Sequence, residues 1–180
     1  MIDLGLPSGT KWACCNVGAQ KPEDYGNYFA WGETQQKKDY KWETYAHGSS
    51  ATKVTNIGSD IAGTDYDAAT ANWGAPWRMP SLKQVNELME KCTSVRTIQN
   101  GVMGMKFTGP NGGTIFLPSA GQRFGGNSFD VGEIGNYWSS TLLMSQQSRA
   151  RFFVLATSGK LTLSTYLRYY GHSVRPVRNN

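Results

Sequence analysis

Gly135-Asn136-Tyr137-Trp138-Ser139-Ser140-Thr141 opens the last quarter of the chain, and Ser173-Val174-Arg175-Pro176-Val177-Arg178 closes it. Between them, Arg149 to Ala156 and Leu161 to Tyr170 are runs of aromatic, aliphatic and hydroxyl residues separated by Thr157-Ser158-Gly159-Lys160. Strand-forming runs on either side of a glycine-bearing turn read as a hairpin. Leu142, Leu143, Met144, Arg149, Arg151, Tyr166, Leu167, Tyr169 and Tyr170 occupy positions where a solvated strand carries Thr, Ser, Lys and Glu. A face of large apolar and cationic residues suits a contact surface, and the competing reading for any one of them is plain core. Trp138 and Val174, which flank the segment, are expected to be buried anchors.

Working outward, the clearest helix signal is Trp77-Arg78-Met79-Pro80-Ser81-Leu82-Lys83-Gln84. Ser81 with Gln84 three residues on makes a capping box, and Leu82, Val85, Leu88, Met89 and Cys92 recur at helical spacing. An amphipathic helix over 82–92 follows, with Cys92 packed as a small hydrophobe. Ser94 to Gln99, Val102 to Thr108 and Thr114 to Leu117 are strand-like runs around the turn signals Asn100-Gly101 and Pro110-Asn111-Gly112-Gly113, hence a β-meander. Ile2 to Leu6 and Thr10 to Ala13 flank Pro7-Ser8-Gly9 as an opening hairpin. Pro22-Glu23-Asp24-Tyr25 predicts a short first helix, because Pro and two acids suit a first helical turn. Thr34 to Asp65 reads as a long surface excursion with one short strand around Tyr40 to Tyr45, and Pro118 to Asn136 as a glycine-rich loop. The order predicts an α+β domain over 1–180, with one main amphipathic helix, a short helix and antiparallel strands.

All thirteen acidic residues lie at or before Glu133, whereas Arg149, Arg151, Lys160, Arg168, Arg175 and Arg178 follow Thr141. A basic C-terminal segment without clustered Lys/Arg runs suits an anionic glycan or an acidic protein better than nucleic acid. Cys14, Cys15 and Cys92 make no disulfide framework and no metal-ligand spacing. No metal and no cofactor is expected. His47 and His172 are isolated, Ser139-Ser140 lacks a nucleophile elbow, and Asp65 with Asp67 or Glu87 with Glu90 are ordinary loop and helix acids. Met1-Ile2-Asp3-Leu4 has no basic n-region before an apolar core, and no run reaches the ~18 apolar residues of a spanning helix. Either the protein is intracellular or an export signal has been removed.

Several motifs carry a resemblance. Trp77-Arg78-Met79-Pro80-Ser81 ahead of its helix resembles the W-R-[LM]-P-[ST] segment of proteins with the C-type lectin-like fold, including relatives of the formylglycine-generating enzymes. Asp3 to Ala13, Pro22 to Gly26 with Phe29-Ala30-Trp31-Gly32-Glu33, Tyr137-Trp138-Ser139-Ser140 and Arg168 to Val177 resemble the Fibrobacter succinogenes major paralogous domain family, common in surface proteins of gut Bacteroidetes. The resemblance implies a C-type lectin-like fold whose N- and C-terminal strands pair, and a cell-surface or extracellular location.

Variable proteins of diversity-generating retroelements end similarly, with a mutable segment between two regular flanks, as Leu142 to Leu167 lies here. The function implied is a non-catalytic ligand- or receptor-binding module, a retroelement variable protein or surface adhesin. Its displayed residues would be Leu142, Leu143, Met144, Gln146, Gln147, Arg149, Arg151, Tyr166, Leu167, Tyr169 and His172, facing a protein or glycan ligand. The Asn/Glu/Pro calcium motif of sugar-binding lectins is missing, which weighs against calcium-dependent glycan binding. No Cys follows Cys92, which excludes the late cysteine pair of formylglycine-generating enzymes. A divergent enzyme of that type, with another site, is the alternative.

Overall fold

The computed structural model describes residues 1–179. Its strands are short and antiparallel, its helices few, and the class is α+β. Strand β1 (Ile2–Asp3) pairs with β2 (Lys11–Trp12) across the Pro7-Ser8-Gly9 turn, as expected. On its other edge β2 pairs with β13 (Val177–Arg178), so the N- and C-terminal strands are joined, Trp12 lying between Ile2 and Val177.

Helix α2 (Leu82–Lys91) begins at Ser81, whose side chain accepts from Gln84 N–H while the Gln84 side chain accepts from Ser81 N–H. It buries Val85 and Leu88 against the meander of β5 (Thr93–Gln99), β6 (Val102–Thr108) and β7 (Thr114–Pro118). Asn100 and Gly101 both have positive φ (48° and 84°), the mirror-image turn whose twist matches a hairpin. Cys92 caps α2 and packs partly against this core, where burial pushes its thiol up to about 11.

The centre of the molecule is the sheet β10 (Gly135–Leu142), β11 (Arg149–Leu155) and β12 (Leu161–Leu167), joined by the expected hairpin. Both of its faces are covered. Tyr137, Phe153, Leu155 and Leu161 join the core under α2, whereas Trp138, Leu142, Ala150 and Phe152 join a second core with Phe29, Trp31, Ile61 and Val174. Trp138 and Val174 are fully buried, as anchors should be. Pairing on β10 slips between Trp138 and Leu142. That irregularity frees Ser140 to bond Ile61 N–H and Pro80 C=O, and Leu142 N–H to bond Ser59 C=O, which ties the preceding loops to the sheet.

Four expectations need correction. Pro22 and Glu23 form only a turn, because the Asp24 carboxylate caps Gln20 and Lys21 N–H and Gly26 follows with φ 71°. The short helix lies instead at α1 (Ala68–Trp73), capped by Asp67. Asp67 is no ordinary loop acid: it is buried and accepts from Gly63, Ala69, Thr70 and Met79 N–H. The segment 34–65 is not a mere surface excursion. It buries Tyr40, Tyr45, Ile57 and Ile61, has a 3-10 turn at Trp42–Thr44 where a strand was expected, and forms the hairpin of β3 (Gly48–Ser50) and β4 (Lys53–Val54). The region 118–136, expected as a loop, contains the hairpin of β8 (Gln122–Phe124) and β9 (Asn127–Phe129) around the two-residue turn Gly125-Gly126.

Candidate functional site

The expected display residues do not form one surface. Strand alternation divides them. Arg149, Arg151 and Leu167 share the face that carries Phe153 and Leu155, and Tyr166 shares the opposite face with Ala150 and Phe152. Met144, Gln146 and Gln147 are exposed in the turn between β10 and β11, Met144 at 65 %, with Leu143 half-buried beside them. Arg149, Arg151, Tyr166 and Leu167 are half-buried, and Arg149 donates from Nη1 to Thr165 C=O at 3.3 Å.

Leu142, Tyr169 and His172 are buried and do not belong to a solvent face. Leu142 sits opposite Ala150 in the second core because the β10 slip turns it inward. Tyr169 is covered by Trp42, at 4.7 Å between ring centroids. His172 has no exposed surface: it stacks on Trp138 at 4.1 Å and 27°, and desolvation lowers its pKa to about 3, so the ring is neutral.

Two of the six C-terminal cations are also internal. Arg168 donates from Nε to the Tyr45 hydroxyl and from Nη1 to Thr55 and Gln147 C=O, and its guanidinium lies 4.9 Å from the Trp31 ring. Arg175 donates to Asn16 Oδ1 and to the carbonyls of Ala13, Cys14 and Phe116, and burial lowers its pKa. The basic surface inferred from charge asymmetry is therefore reduced, among the C-terminal six, to Arg149, Arg151, Lys160 and Arg178.

What the structure does gather is an aromatic patch. The β8–β9 hairpin leans over the Tyr166–His172 segment, held by Arg123 N–H to Gly171 C=O and Gly171 N–H to Arg123 C=O at 2.7 and 2.9 Å. Gly171 is required there, since a Cβ would stand 2.7 Å from the Tyr40 ring. Phe124 stacks on Tyr170 at 4.9 Å and 15°, Phe129 tilts towards Phe124, and Tyr166 meets Tyr170 edge-on at 4.4 Å and 78°. Phe124 and Phe129 remain 41 % and 43 % exposed. With Gln122 and Asp130, these rings line a recess of about 210 Å³. Of its lining residues only Tyr166 belonged to the expected site. Phe124 and Phe129 were legible in principle, because Gln122-Arg123-Phe124 and Asn127-Ser128-Phe129 flank Gly125-Gly126, a hairpin signal.

Among the described residues no group of three or more His, Cys, Asp or Glu is gathered to hold a metal ion, and no helix is long and apolar enough to cross a membrane. Cys14 and Cys15 are free thiols, their Sγ atoms 3.5 Å apart. Comparison with protein-family models, curated proteins and solved structures finds no match to this chain.

Proposed function

We propose that this chain is a non-catalytic binding module of the C-type lectin-like fold, whose recognition surface is the aromatic patch of the β8–β9 hairpin and the end of β12. The fold assignment rests on the joined terminal strands, on α2 packed against the first core, and on the two-sided central sheet. One observation carries the functional reading: two phenylalanines are held about four-tenths exposed on a pinned hairpin above fully buried Trp138 and His172. Exposed aromatic rings on a rigid support have the chemistry of interface hot spots, offering large contact area at little cost in side-chain entropy. The exposed turn at Met144, Gln146 and Gln147 extends the surface available to a partner. Since Met144, Gln146 and Gln147 sit outside the cores, a retroelement variable protein or a surface adhesin would change them without changing its frame.

The test is selection of a random peptide library and a defined glycan array against the wild-type chain and its Phe124→Ser/Phe129→Ser variant. Ligands of the wild type should lose at least tenfold in affinity on the variant while the melting temperature holds. Ligands that ignore both substitutions place recognition elsewhere and overturn the reading. Sequencing the genomic neighbourhood for a reverse transcriptase gene and a near-copy of the segment coding for 142–167 tests the retroelement assignment.

A further inference from the structure

We infer that the recess between the β8–β9 hairpin and β12 takes a cationic side chain, the lysine of a partner protein, its ammonium at Asp130 and its aliphatic stem across Phe124 and Phe129. The inference rests on the aromatic patch being a binding surface, and it sets the charge of what binds there.

Size comes first. About 210 Å³ is below the usual range for a drug-sized ligand and suits a single side chain. The walls come next. Phe124 and Tyr170 stack face to face and Tyr166 meets Tyr170 edge-on, so the rings pack on one another and present a stepped apolar wall beside Asp130. Ring faces carry a negative quadrupole and attract a cation within about 6 Å. Burial raises the hydroxyl pKa of Tyr166 and Tyr170, which keeps both rings neutral near neutral pH.

The charge decides the ligand. Asp130 lies in the lining, is exposed, and among the described residues has no Lys or Arg within ion-pair distance. Its one side-chain partner is Gln122, whose Nε2 donates to Oδ2 at 3.4 Å. Gln122 is turned that way from behind, because its Oε1 accepts from His172 Nε2 at 3.3 Å. The buried imidazole is neutral and puts no positive charge beneath the recess. Cations of the neighbouring elements are occupied elsewhere: Arg123 donates to Gly126 C=O and lies over the Tyr40 ring, Arg96 donates to Glu133 C=O, and Arg149 is on the other face of the sheet, donating to Thr165 C=O. An unpaired carboxylate among four aromatic rings favours a cation with an apolar stem, and disfavours the acidic partner that net charge alone suggested.

The experiment uses the intact isotope-labelled chain at low salt. It is titrated with Ac-Gly-Lys-Gly-NH2, with its norleucine and glutamate counterparts, and with choline chloride, following backbone amide resonances. The lysine peptide should shift the resonances of 122–130 and 166–170 and bind about fivefold more tightly than the norleucine peptide. Asp130→Asn should bring lysine down to the norleucine level with the fold intact, since Asp130 has φ 58° and Asn tolerates that region well. Equal binding of norleucine, tighter binding of glutamate or choline, or no shift in these resonances overturns the inference. If ammonium binding fails but selected ligands are still lost on Phe124→Ser/Phe129→Ser, the inference falls alone. If selected ligands ignore that variant, the proposed function falls.

Discussion

Replacing Trp138 by Ala tests the frame on which the proposed surface rests. The indole is fully buried, stacks on His172, meets Phe152 edge-on at 5.9 Å, and donates from Nε1 to Phe29 C=O at 2.8 Å. Deleting a buried Trp side chain costs about 3 to 5 kcal/mol in lost transfer free energy and residual cavity. Loss of the indole's hydrogen bond to the Phe29 carbonyl, which keeps His172 N–H at 3.1 Å, adds about 1 kcal/mol, giving a loss of about 4 to 6 kcal/mol. That approaches the whole stability of many domains, so Trp138→Phe, which keeps an aromatic ring, is the measurable companion at about 1 to 3 kcal/mol. Urea denaturation followed by near-ultraviolet circular dichroism at 25 °C reads both. A loss below about 2 kcal/mol for Trp138→Ala, with an unchanged denaturant slope, would refute the assignment of this ring to the frame.

The buried neutral His172 makes stability depend on pH. Its native pKa, about 3, lies below the ordinary 6.5, so the unfolded chain binds the extra proton: the contribution is complete above pH 6.5 and is lost as pH falls towards 3. Between pH 6.5 and 5 the loss should reach about 2 kcal/mol, and His172→Gln should flatten that window; an unchanged slope would show that the ring titrates normally. Arg168→Met should speed amide exchange in 45–57 and 143–148 about tenfold or more while leaving 93–118 unaffected, because the lost guanidinium bonds reach Tyr45, Thr55 and Gln147. Uniform acceleration along the chain would show that its loss acts globally instead.

The elements legible in the sequence were those whose local chemistry and tertiary role agree. Ser81 and Gln84 cap a helix that must end near Cys92, Asn100-Gly101 fits a tight hairpin, and Thr157 to Lys160 breaks two strand-forming runs. The illegible parts depend on distant partners. Tyr40 and Tyr45 follow no local period, yet they are buried because their hydroxyls donate to Tyr28 and Trp31 C=O across the fold. Pro22-Glu23-Asp24 looks like a helix start, but Asp24 bonds backwards to Gln20 and Lys21, a local competition that holds the segment as a turn. The proposed site differs from the expected one for the same kind of reason. Tyr166 stands out locally and Gly125-Gly126 signals the β8–β9 hairpin, whereas the crossing that brings Phe124 and Phe129 onto the C-terminal segment depends on distant partners.

Two of the arginines after Glu133 then have a structural role that differs from a basic surface. Irregular segments meet where carbonyls have no ladder partner, and a buried carbonyl left alone is costly. A guanidinium offers five donors in a fixed fork and can satisfy several such carbonyls at once. Arg175 ties Ala13, Cys14 and Asn16 to Phe116 of β7, and Arg168 ties Thr55 to Gln147. In each case most of the acceptors are backbone carbonyls, which every residue supplies. Gln147 is held through its main chain while its side chain stays exposed, so a different residue there keeps the Arg168 bond. A surface pinned in this way can vary in chemistry while its backbone stays in place, which is the physical requirement for a module that presents different side chains from one frame.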